Sequence, residues 1–449
     1  MGPGIAQPVR AARRVNAGVE LRRDCISIFV GLALSGALTC LGQAPQPSQP
    51  SASAASDFEE LPELKASEIL KPEFQKGQYH TVREPVPTSS GTNEFVIDSD
   101  FGVFDADGNE MLVRRVKEVY AIARLKEVSR SDQFKDSLTT AAKGTYNAAK
   151  KVVQDPANAI SNVPKGVMKF MGRAQQSLKN IGKKKDSGAR EGSKLEQTIG
   201  FSNAKRKIAV GMGIDPYSTN TVLQKELDGV AWASWAGGFA FSAGTFPISG
   251  PVGVGLTVTS VSDSLDKLVN EEPPEDLRQI NRSGLRSVGA SEQDTNRFLN
   301  NTAFTPTHQT AFVLDLKSLD GVANRGAFVH SAAEKSSNES DALFCVQTAA
   351  LMGQLHTGDH PLARIAMLEN FPVSIAKDGT VIVALQWDYA AWTAGASAFF
   401  DKVQKLANEP GQNKHVLVAL SGQMSPRLQQ ELQRHGITVQ DRMNPGPLK

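Results

Sequence analysis

Val373-Ser-Ile-Ala376, Asp378-Gly379 and Val381-Ile-Val-Ala-Leu385, followed by Val416-Leu-Val-Ala-Leu420, Ser425-Pro426 and Ile437-Thr-Val439, decide the fold of this chain. Short apolar runs on either side of an Asp-Gly pair predict a β-hairpin. Val416–Leu420 carries no polar side chain at any position, so neither face of that strand is expected to meet water. Ser425 places a capping hydroxyl before a proline at the first helical position, which opens a helix through Leu428 and Leu432 that Gly436 stops. Strand, helix and strand in this order form a βαβ unit, so part of the sheet is expected to be parallel. A further helix is predicted from about Tyr389 to Ala407.

Upstream, Thr305-Pro306 repeats the cap-and-proline signal, with Gly321 as the stop, and Asn338 caps a helix carrying Leu343, Val346, Ala350 and Leu355. Residues 301–445 therefore read as an α/β domain. Pro273-Pro274 punctuates a linker of short helices at 263–300.

Before that linker lies the least ordinary stretch. Between Asp228 and Asp263 there are 34 residues without a charge, including Trp232, Trp235, Phe239 and Phe241. Pro247 and Pro251 divide it into an arm that reads as helical and a second arm, Val252 to Val258, that alternates like a strand. Seven glycines and a single leucine, Leu256, leave both arms short of the roughly 20 strongly apolar residues of a spanning helix. An apolar Gly-rich hairpin over 229–262 is the expectation, either buried within the fold or in contact with lipid.

Residues 114–228 read as long helices. Leu112, Val116, Val119 and Ala123 step at helical spacing, as do Ile160, Val163, Val167, Met171, Ala174, Leu178 and Ile181. From Ala141 to Val210 there are 15 Lys and Arg against 4 Asp and Glu. A basic amphipathic helix of this kind suits either a solvated bundle face or an anionic lipid surface, with Lys165, Lys169, Arg173 and Lys179 at the headgroups. The segment 58–113 is the opposite: from Asp57 to Glu110, 13 acids face 4 bases. Strands are predicted at Glu94–Ile97 and Phe101–Phe104, with a hairpin turn at Asp107-Gly108. A calcium loop does not fit there, because Gly108 arrives two positions early. The acidic segment is also placed to neutralise the basic helices within one molecule.

At the N-terminus, Arg13, Arg14, Arg22 and Arg23 precede the uncharged run Cys25–Ala44, the pattern of a secretory signal over residues 1–42 cut after Gly42. Residues 43–57 are a Pro/Ser/Ala tether. Thr39 before Cys40 disfavours a lipoprotein cut, and retention of the signal as an anchor is the alternative to cleavage. After cleavage Cys345 is the one remaining cysteine, which excludes an intramolecular disulfide.

The whole chain, 449 residues with 49 Lys and Arg against 47 Asp and Glu, has ordinary soluble-protein composition and too little net charge for a general nucleic-acid binder. No phosphate loop, dinucleotide loop, nucleophile elbow or zinc helix is present. The nearest approach to chemistry is His356-Thr-Gly-Asp359-His360, a weak metal candidate with no recognised ligand spacing. Ser421-Gly422-Gln423, leading into the Ser425 cap, is a weak anion candidate.

The expected fold is thus mixed α and β and helix-rich, with an N-terminal amphipathic helical region, the Gly-rich apolar hairpin and a C-terminal α/β domain. The expected role is that of an exported, periplasmic or envelope-associated protein, non-enzymatic and without a cofactor, contacting an anionic membrane surface or an envelope protein. A secreted hydrolase or metal-dependent enzyme with its site in the C-terminal domain is the alternative.

Overall fold

The computed structural model describes residues 57–144, 191–241 and 262–449. The signal, nearly all of the tether, the Ile160–Ile181 stripe with Lys165, Lys169, Arg173 and Lys179, and the second arm of the neutral run lie outside the described residues.

The acidic segment folds as an antiparallel sheet of β1 (Glu63–Lys65), β2 (His80–Val82), β3 (Pro85–Ser89), β4 (Thr92–Ser99) and β5 (Gly102–Asp107), with the single-turn helices α1 (Ala66–Ile69) and α2 (Pro72–Gln75) between β1 and β2. Both expected strands are present. Strand β4 alternates, burying Asn93, Phe95 and Ile97, as a sheet with one wet face requires. The expected turn at Asp107-Gly108 is a correction. The β4–β5 hairpin turns earlier, around Asp100 and Phe101, and Gly108 instead precedes the 22-residue helix α3 (Asn109–Arg130). Its φ of +99° suits glycine in either role. The helical spacing of Leu112, Val116 and Val119 after it was the signal that decides between the two.

Helix α3 joins two cores. Its first half, with Leu112, Val116 and Tyr120, closes over Phe95, Ile97, Val82 and Leu70 of the sheet, and Leu343 and Leu448 complete that cluster. Its second half, with Ile122 and Leu125, packs against α4 (Asp132–Gly144), α5 (Glu191–Gly211) and α6 (Thr221–Gly237) around Phe134, Ile208, Leu223, Leu227 and Val230.

The C-terminal region opens with α7 (Ser262–Glu271), α8 (Pro274–Ser287), α9 (Glu292–Asn300), α10 (Pro306–Ser318), α11 (Arg325–Lys335) and α12 (Glu339–Thr357). Thr305 and Asn338 cap α10 and α12 as expected, through the N–H groups of His308 and Asp341. Next come β6 (Leu362–Leu368), β7 (Phe371–Ala376), β8 (Val381–Leu385), β9 (Tyr389–Ala390), α13 (Ala394–Ala407), β10 (Val416–Leu420), β11 (Gln423–Met424), α14 (Pro426–Arg434) and β12 (Thr438–Gln440). The main sheet has the order β12-β10-β8-β7-β6. β8, β10 and β12 are parallel, and the β8–β7–β6 side is antiparallel. The predicted helix from Tyr389 starts only at Ala394, after the short strand β9, because the Thr393 hydroxyl caps it through the Ala396 N–H.

Both faces of this sheet are covered. Ile382, Ala384, Leu417 and Ala419 face the α7–α12 layer with Phe298, Phe312 and Phe328, whereas Val381, Val383, Leu385, Val416, Val418 and Leu420 face α13 and α14 with Phe399, Phe400, Leu428 and Leu432. Alternate residues leave the strand on opposite sides. Two dry faces therefore demand an apolar residue at every position.

Candidate functional site

The neutral run does not begin a new element. Asn220 caps α6, accepting the N–H groups of Val222 and Leu223, and the helix passes from its charged first half through Asp228 into the run without a break. It ends at Gly238, which has the left-handed φ of +70° expected of a helix-terminating glycine. The first arm of the run is thus the apolar end of a helix packed in a core. Val230, Ala231 and Ala233 are buried, and Phe239 turns back onto Phe134 at a ring separation of 5.7 Å. Trp232 and Trp235 are half-buried and lie 5.4 Å apart.

Beside this end lies a half-open groove of about 390 Å³, lined by Gly200, Asn203, Ala204, Lys207 and Ile208 of α5 and by Ser234, Trp235 and Phe241. Gly200, Ala204 and Ile208 recur every four residues and so share one face of α5. The indole of Trp235 lies against Gly200 so closely that a methyl group there would run into its Nε1. Asn203 and Lys207 form the polar edge. The flanking cations are engaged: Lys205 pairs with Asp228 at 2.6 Å, and Arg206 donates to the Asn270 carbonyl at 3.5 Å. Lys207 is exposed and makes no ion pair among the described residues.

The histidine cluster does not gather. The Leu362 N–H donates to His356 Nδ1 at 3.0 Å, and burial with nearby Lys377 lowers the pKa of this imidazole. Asp359 is exposed, and His360 is half-buried near Asp378. Among the described residues no group of three or more His, Cys, Asp or Glu side chains is arranged to hold a metal ion. Cys345 is buried against the Ser336 hydroxyl at 3.6 Å.

The carboxyl ends of β8 and β10, where α/β sheets commonly bind ligands, are filled from within. Ser425 Oγ donates to Glu59 Oε2 at 2.5 Å, and the Trp392 N–H donates to the same oxygen at 2.6 Å. The acidic N-terminal segment thus supplies its own carboxylate at the start of α14, where the sequence pointed to an anion. Next to it, Asp388 is half-buried. Its carboxylate accepts the N–H groups of Asn93 at 2.9 Å and Asn109 at 3.2 Å, so it caps α3 and binds the β3–β4 turn at once. Burial pushes its pKa up to about 7 despite these bonds, and Glu110 adds to the rise.

A second buried polar set joins α3, the 212–220 loop, α10 and α12. Glu118 accepts from Arg115, Ser218 and Asn220, and Arg115 also reaches Glu339. His308 is wholly buried, and with Arg114 an obligate donor its Nε2 accepts at 2.9 Å. Burial, reinforced by Arg114 and Arg115, holds its pKa well below the usual range, so it stays neutral. Thr307 and the Tyr217 N–H both donate to buried Asp215, whose pKa burial raises. These residues belong to elements that meet only in three dimensions, and nothing in their local sequence marked them.

No family model matches the chain, and no curated protein or solved structure is detectably similar to it.

Proposed function

We propose that this is an exported, envelope-associated binding protein, without a catalytic role, that contacts an anionic lipid surface through its basic helical region and the apolar run 229–262. The observation that carries this reading is the charge-free run itself, whose helical arm sets two half-buried tryptophans beside Lys207, an exposed lysine with no ion pair among the described residues. Aromatic rings and lysines side by side match the chemistry of a bilayer interface, where indoles sit among headgroups and cations meet lipid phosphates. The excess of basic residues from Ala141 to Val210 supplies the charge for such contact. Among the described residues no helix is long and apolar enough to cross a membrane.

Flotation with vesicles of phosphatidylglycerol and phosphatidylcholine, against phosphatidylcholine alone, tests this. One variant exchanges residues 242–261 for a Gly-Ser linker of equal length, because residues 229–239 are needed for the core. Another replaces Lys165, Lys169, Arg173 and Lys179 by Ser. Flotation on the anionic vesicles that weakens with salt and falls in both variants supports the proposal. Equal, negligible flotation of all three proteins overturns it, as does capture of an envelope protein with no lipid binding.

A further inference from the structure

We propose that the groove between α5 and α6 is a binding site for one long-chain carboxylate, its hydrocarbon chain against Trp235, Phe241, Ala204 and Ile208 and its carboxylate at Lys207. This goes beyond surface docking, since a monomeric ligand in water requires no membrane.

Three features point to this ligand. One part of the lining is apolar and built for close approach: a bare Gly200 lets the Trp235 indole come close against α5, with Ala204, Ile208 and Phe241 around about 390 Å³. That volume falls within the roughly 300–1,000 Å³ of small-molecule sites, which bury mostly apolar ligands and orient them by few polar groups. On α5 the polar groups stand to one side of the Gly200–Ala204–Ile208 face, with Asn203 and Lys207 one turn apart, and α6 adds Ser234. A ligand with a single polar end satisfies that asymmetry, and a uniformly polar or uniformly apolar one does not. The charge at that edge is positive and uncommitted: Lys205 and Arg206 are engaged elsewhere, whereas Lys207 has no partner among the described residues. An anion is therefore the head group that fits, and a carboxylate also accepts from the Asn203 amide and the Ser234 hydroxyl.

The test is quenching of tryptophan fluorescence in the full chain by a bromine-labelled long-chain fatty acid, kept below its micelle concentration. Saturable quenching is expected, and Trp235→Phe should remove most of it. Lys207→Glu should weaken binding of the acid roughly tenfold or more, as the loss of one charged hydrogen bond implies, while leaving binding of the uncharged methyl ester unchanged. Gly200→Leu fills the floor and should abolish binding, and its thermal melting shows whether the fold survives. Absence of quenching overturns the proposal. So does quenching that is indifferent to both Trp235→Phe and Lys207→Glu, which would place the ligand elsewhere. Binding that occurs only after residues 242–261 are exchanged for the linker would assign the groove to the chain itself. Vesicle flotation fails or succeeds independently of all these outcomes, so the two proposals are separable.

Discussion

In the C-terminal sheet every residue of β8 and β10 is buried, whereas in the N-terminal sheet β4 buries alternate residues and β5 leaves Val103 58% exposed. The two sheets have the same number of strands, yet one is the middle layer of three and the other has a single covered face. Burial on both sides penalises a polar atom, while a wet face accepts almost anything that keeps the strand extended. The joint between the two sheets contains the Asp388 carboxylate, whose pKa burial raises although it accepts backbone N–H groups from both Asn93 and Asn109.

The largest effect is expected at that joint. The folded pKa of Asp388 lies near 7, above the ordinary value of 3.8. Between about pH 4 and pH 7 the folded protein holds a proton that the unfolded chain has lost, so stability falls as pH rises through that window and levels off above it. The ceiling on this loss is on the order of 4 kcal/mol. Asp388→Asn should remove this contribution and make the slope less negative, and urea unfolding at pH 4 and pH 8 measures it. Equal slopes in both proteins would show that the carboxylate is charged throughout and that its bonds from the Asn93 and Asn109 N–H groups outweigh burial.

Val→Thr sharpens the contrast between the sheets, because the same substitution probes both. At Val418 the hydroxyl enters a dry face and should cost about 1–3 kcal/mol. Ser425→Ala comes next at about 1 kcal/mol, since it deletes both the α14 cap and the donor to Glu59. Val103→Thr should change stability by less than about 0.5 kcal/mol. Chemical denaturation of the three variants gives the order, and equal losses at Val418 and Val103 would break the comparison.

The parts of the fold that were legible are those whose signal is local. The β7–β8 hairpin, β10 and α14 announce themselves through an Asp-Gly turn, an unbroken apolar strand and a Ser-Pro cap. Strand β6 went unnoticed because Arg364 interrupts its apolar pattern and its pairing slips between Leu362 and Arg364. Gly108 was misassigned because a positive φ serves a hairpin and a helix start alike, and only the spacing beyond it discriminates. At the candidate sites, Trp232, Trp235, Phe239 and Phe241 stood out as aromatics in an uncharged run. Their division into core and groove depends on α5, whose Gly200 and Lys207 carry no mark of their own in the sequence. Asp388 and Glu59 were invisible for the same reason, since each acts on partners hundreds of residues away.

The Leu448 side chain in the N-terminal core has a consequence for the order in which the molecule is made. Leu70 bridges to Leu448, the Lys449 N–H donates to the Ile69 carbonyl, and Lys71 reaches the Gly446 carbonyl. The N-terminal sheet therefore cannot be finished until Pro445–Lys449 have left the ribosome, although domains commonly mature in order of emergence. A change among Pro445–Lys449 is therefore felt first around Ile69 and Lys71.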